Sequence, residues 1–140
     1  MAIKFTMQGY LIYATIVAMF LAGALMPFRK TRWLGWAAYV AGAILAAASY
    51  GWRWYATGQV PMQNVFEALL LTAALLFPLT LLARRVGAGL AAADPWLALI
   101  VLFPVGFVLP ETARALLPVL NCVLFVPHVL CYMLAYAIMA

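Results

Sequence analysis

The stretch VFEALLLTAALLFPLTLLARR, Val65 to Arg85, decides the fold. Between Val65 and Ala83 its only charge is Glu67, and a helix needs about 20 mostly apolar residues to cross the hydrocarbon core of a bilayer. Arg84 and Arg85 close the run as a basic stop at a membrane surface. The rest of the chain has the same character. Of 140 residues, 70% are hydrophobic and 8% charged, where a soluble domain carries about 25% charged residues. Too few polar groups are present to cover a water-facing surface, so the expected solvent is a bilayer. The net charge of +5 sits mostly in short clusters between apolar runs. Such clusters are membrane-orientation signals, and they argue against a nucleic-acid patch. The length allows about five or six spans in one transmembrane domain, residues 1–140, with no separate soluble domain.

Working outward, the pattern predicts an all-α bundle of about five spans. The first runs from about Gln8 to Phe28 and is followed by Arg29, Lys30 and Arg32. The second runs from about Trp33 to Tyr50, ahead of Trp52, Arg53, Trp54 and Tyr55. The third is about Val65 to Ala83 and the fourth about Pro95 to Leu109. Pro110 to Val119 reads as a short interfacial helix and turn, and the fifth span runs from about Asn121 to Ala140. The apolar run at the N-terminus is too long for a cleavable signal peptide, and most nearby bases follow it.

Counting bases orients the chain. The loops after spans one and three hold three and two bases; the other loops hold Arg53 and Arg114, and the N-terminal tail holds Lys4. The richer loops belong in the cytoplasm, which places the N-terminus and the stretch GQVPMQNVFE (Gly58 to Glu67) outside. Trp33, Trp36 and Trp96 then fall near the inner interface, and Trp52 and Trp54 near the outer one. Ala38, Gly42 and Ala46 recur every fourth residue on span two, a stripe that lets helices approach closely. Pro78, Pro104 and Pro127 lie inside spans and can kink them. The two cysteines, Cys122 and Cys131, have neither CxxC spacing nor bridging geometry and read as small apolar packers.

Two polar positions stand out. Asn64, Val65, Phe66, Glu67 has the shape of a capping box, with an acid in the first turn of a helix. Glu67 near the outer surface could equally line a cavity or guide an outer partner, and spacing alone does not separate these. His128 is the sole histidine, about two turns into the fifth span. At helical spacing it shares a face with Asn121, Leu124, Phe125, Tyr132 and Tyr136. A polar side chain inside a span faces protein or a cavity as a rule. His128 is either hydrogen-bonded to a neighbouring helix or a ligand to metal or haem iron. One histidine cannot hold a bare metal ion, but it can supply an axial ligand to a haem, whose porphyrin provides four nitrogens. Three acids and one histidine spread over different loops make no hydrolase site.

At these two stretches the sequence resembles the cytochrome c assembly proteins, in particular the CcsA/ResC branch. Gly58, Pro61, Asn64 and Glu67 are similar to that family's G-x-x-P-x-x-N-x-x-E at the outer start of a span. Leu117-Pro118, Leu120, His128-Val129 and Tyr136-Ala137 resemble its leucine-proline turn, its histidine ten residues past the proline, and its Tyr-Ala pair. The likeness covers roughly residues 50 to 140. It implies that His128 is an axial ligand to haem b held as a substrate near the outer face, with Tyr132 and Tyr136 on the same side. Pro61, Asn64, Glu67 and Pro118 would shape the outer loops. It also implies an apocytochrome c partner whose Cys-x-x-Cys-His thiols attack the haem vinyl groups, as part of a holocytochrome c synthetase system; between a bacterial inner membrane and a thylakoid, the bacterial one is expected as the commoner setting. The family's tryptophan-rich WWD loop and second outer histidine are absent. Cys122 stands where serine is usual, and Leu124 where tryptophan is frequent. The chain resembles the front part of a member, completed by a Trp-rich part or by a second cytochrome c biogenesis membrane protein.

Two other classes compete with that expectation. One is a non-catalytic membrane subunit that packs within a larger transporter or respiratory complex. The other, a small-solute transporter fragment, is disfavoured because no pair of spans shows matched broken helices.

Overall fold

The computed structural model describes residues 6–62, 64–85, 87, 92–110 and 124–139. Five helices follow one another: α1 (Met7–Leu25), α2 (Arg32–Thr57), α3 (Val65–Arg85), α4 (Asp94–Phe107) and α5 (Phe125–Met139). Among the described residues there is no strand. The interfacial helix expected beyond Pro110, with Arg114, Pro118, Asn121 and Cys122, lies outside the described residues, as does the Tyr136 side chain.

Local chemistry sets the helix ends. The Thr6 hydroxyl accepts the Gly9 backbone N–H and caps the start of α1. α1 ends at Leu25, earlier than the expected Phe28: Met26 still has helical geometry with its N–H on the Ala22 carbonyl, but Pro27 has no N–H with which to continue the ladder. The Thr31 hydroxyl then donates to the Leu25 carbonyl across the turn. α2 runs past the expected Tyr50, through Trp52 to Tyr55, and ends at Thr57. Gly58 follows in the left-handed conformation, φ 63°, and its N–H reaches the Trp54 carbonyl. Glycine adopts that conformation without a Cβ penalty, which explains the terminator at that position. Pro78 and Pro104 sit inside α3 and α4 without ending them.

α1 to α4 form a ring. α1 packs on α2 and α4, and α3 packs on the same two, while α5 rests against α3. The hydrogen bonds show which ends meet. Gln8 at the start of α1 reaches Ser49 near the end of α2, and Tyr13 on α1 reaches the Gly106 carbonyl near the end of α4. At the opposite end, Tyr39 of α2, Thr80 of α3 and Asp94 of α4 are linked. Neighbouring helices in the ring are therefore antiparallel, up-down-up-down. The core at the centre includes Ile12, Met19, Tyr39, Phe66, Leu70 and Leu102.

The small-residue stripe on α2 lies against α1. Ala46 is fully buried, and a Cβ on Gly42 would stand 3.0 Å from Met19 Cε. The outer surface of the bundle is apolar instead of charged, with Phe20, Ile44, Leu82 and Ile100 all exposed. That inversion is what a lipid solvent requires, and the chain is a membrane-type helical bundle. α1, α2 and α3 are long and apolar enough to cross a bilayer; α4 and the described part of α5 are shorter apolar helices. α4 has 14 residues, which at 1.5 Å per residue is about 21 Å, less than the roughly 30 Å of hydrocarbon.

Candidate functional site

Two polar arrangements interrupt this apolar body at the positions the sequence singled out. The first lies at the α2–α3 turn. Pro61 is fully buried beneath the turn. The Asn64 carbonyl accepts the Ala68 N–H at the start of α3. Glu67, one turn into the helix, is 4% exposed, and so acts inside the bundle. Its partner is Arg53, itself 6% exposed: Nε and Nη2 both donate to Oε1, at 3.2 and 3.0 Å. The guanidinium also stands 5.0 Å from the centre of the Phe66 ring, a cation–π contact. Buried charges persist only when paired and hydrogen-bonded, and this pair is both. Glu67 thus ties α3 to α2, an engagement that the capping-box spacing did not reveal.

Arg53 is the residue that sequence reasoning missed, since it counted only as one base in a loop. The signal was present: one base ends the second run and one acid opens the third, with little charge between them. Their mutual neutralisation leaves the α2–α3 turn without net charge.

The same end of the bundle carries further polar groups. Gln8 Nε2 donates to the Ser49 hydroxyl at 2.9 Å and to its carbonyl at 3.2 Å. The Thr57 hydroxyl bonds back to the Arg53 carbonyl at 2.9 Å. At the other end of the ring, the Tyr39 hydroxyl donates to Thr80 Oγ1 at 2.9 Å, and Thr80 lies 2.7 Å from Asp94 Oδ2. A carboxylate only accepts, so Thr80 is the donor in that second bond. Arg84 stacks over Trp36 at 4.4 Å beside this chain.

The second arrangement is on α5. His128 is exposed, and its ring meets the Tyr132 ring edge-on at 4.8 Å. The imidazole has no hydrogen-bond partner among the described residues, so the expected alternative of a bond to a neighbouring helix is not what those residues show. Pro127, Cys131 and Tyr132 are exposed as well. Cys131 is a free thiol on this open face, not the packed residue that its apolar surroundings suggested. On the other side of α5, Met133 Sδ accepts from the Thr72 hydroxyl of α3 at 3.8 Å. Tyr136 lies one turn beyond Tyr132 on the helix.

Chemically, the pair Arg53–Glu67 fixes a turn, and His128 offers an exposed imidazole with no hydrogen-bond partner among the described residues. Among the described residues no three His, Cys, Asp or Glu side chains gather as a metal site. The structure brings Pro61, Asn64 and Glu67 together at one turn, and His128 and Tyr132 together on one helix face. No protein-family model, curated protein or solved structure matches the chain.

Proposed function

We propose that this membrane protein holds haem b as a substrate near the extracytoplasmic face of a bacterial inner membrane and presents it for covalent attachment to apocytochrome c. One observation carries the reading. The only imidazole of the chain stands open and unbonded on α5 among the described residues, edge-on to Tyr132. A neutral imidazole is an iron ligand, and an open one needs no rearrangement to bind. The motif supports the reading, because Pro61, Asn64 and Glu67 lie at a single turn, where Glu67 is tied to Arg53. Thr72 of α3 meets Met133 of α5, so Glu67 and His128, each five residues earlier, lie at about the same depth on their helices. His128 supplies one axial ligand; a Trp-rich part or a second biogenesis protein covers the open face and supplies the other.

The test is spectral. The protein is purified in detergent with and without reductant, and its Soret and α bands are compared with those of His128→Ala. Loss or a clear displacement of the reduced bands is expected. An unchanged spectrum removes His128 from the iron.

The open face also favours a second reading, a non-catalytic subunit packed in a larger transporter or respiratory complex. Exposed polar side chains on a helix in lipid call for a protein neighbour. In that case the purified chain shows no haem bands, and His128→Ala weakens recovery of the complex instead.

A further inference from the structure

Two buried polar atoms at the Arg53–Glu67 end of the bundle lack any hydrogen-bond partner among the described residues: Gln8 Oε1 and the Tyr50 hydroxyl. Gln8 is 6% exposed, so its amide oxygen is shut away from bulk solvent. Turning the amide over does not help. It would set two oxygens against each other at the Ser49 carbonyl and leave the NH2 group orphaned in place of the oxygen. Ser49 accepts from Gln8, and its own hydroxyl hydrogen has no acceptor among the described residues.

An unmade bond to a buried polar group costs about 1–3 kcal/mol, and native structures seldom leave such groups without a partner. We propose that the outer end of the bundle is an internal water site, in which water is the missing partner of Gln8 Oε1 and of the Tyr50 hydroxyl. The two heavy atoms of the Gln8 amide share one carbon, so Oε1 and Ser49 Oγ lie close enough for one water to touch both. That water accepts from the Ser49 hydroxyl and donates to Gln8 Oε1. A second water joins the hydroxyl of Tyr50, the next residue of α2, to the same polar end. The location favours hydration. Gln8 is in the first turn of α1 and Tyr50 is two turns from the end of α2, so both are shallow in the membrane. Buried waters make two to four such bonds and occur where a site is polar on several sides.

Two measurements decide it. Tyr50→Phe deletes only the hydroxyl. A hydrated hydroxyl loses a bond, and the melting temperature in detergent falls by a few degrees; a dry orphan is relieved of its desolvation cost, and the temperature holds or rises. Radiolytic hydroxyl-radical labelling in 18O water reads the water directly on the unmodified protein. Tyr50 should take up label several-fold faster than Tyr39, which is fully buried with its hydroxyl already bonded to Thr80. A Tyr50→Phe protein as stable as the parent, or a Tyr50 as unlabelled as Tyr39, overturns the proposal.

Discussion

A buried ion pair governs the α2–α3 turn. Breaking such a pair from one side leaves an uncompensated charge and costs about 3–5 kcal/mol. Glu67→Leu should therefore lower both thermal stability and accumulation in the membrane, and Arg53→Met should do the same. The double variant Arg53→Met/Glu67→Leu should recover most of the loss, because it leaves no buried charge behind. Melting temperatures of the four proteins give the coupling directly, and independent, additive losses would show that the two side chains do not depend on each other. Part of this was legible in the sequence. Glu67 stood out as the only acid of its run, at the right place for a helix start. Its partner did not, because an ion pair between helices depends on their distance and depth, which no spacing along one chain encodes. His128 is the converse case. Its type and its place beside Tyr132 were readable from helical periodicity, whereas its exposure depends on which helices flank α5.

Helix contacts rest on glycines whose missing Cβ is needed for different reasons. A Cβ on Gly35 would stand 2.8 Å from the Met26 backbone nitrogen, where the first turn of α2 presses on the chain leaving α1. A Cβ on Gly23 would stand 2.8 Å from Trp96 Cε2, a side chain of α4. Backbone cannot move aside, but an indole at the bundle edge can. Gly35→Ala should thus cost more than Gly23→Ala, within the range of about 1–3 kcal/mol typical of overpacking. Gly23→Ala combined with Trp96→Leu should be no less stable than Trp96→Leu alone, and thermal denaturation of the set checks this. The small-residue stripe at Ala38, Gly42 and Ala46 announced one close approach correctly. Gly23 and Gly35 gave no comparable signal, since each answers to a single atom group brought near by the fold. Helix ends were misplaced even where a breaker was present: the expected end at Phe28 overran Pro27, and the expected end at Tyr50 fell short of Gly58. The length of α2 was underread, because Trp52, Arg53 and Trp54 resemble an interface while continuing the helix.

At the scale of the molecule, the apolar exterior and the antiparallel ring define a membrane-type bundle whose two ends differ in charge. Pairing of Arg53 with Glu67 removes the one base of the α2–α3 turn from the balance. The α1–α2 turn keeps Arg29 and Lys30, exposed and unpaired among the described residues. The contrast between ends is therefore larger than a bare count of bases implies, and it favours the α1–α2 turn inside. A cysteine at Gln59 should react with a membrane-impermeant maleimide on intact cells, in a Cys122→Ser/Cys131→Ser background. A cysteine at Lys30 should react only after permeabilisation. Labelling in the reverse order would invert the topology and move the outer turn to the cytoplasm.

The sequence alone determined the solvent, the helical class, the sites of the long apolar helices and the few polar residues that interrupt them. Those properties follow from composition and from periods of three to four residues, which are local. Only the tertiary structure decided that Arg53 and Glu67 are one buried unit, that Tyr39, Thr80 and Asp94 form a chain across three helices, and that His128 stands open while Cys131 is unpacked. Each of these depends on which helix lies beside which and at what depth, and those relations arise only when separate apolar faces are packed against one another.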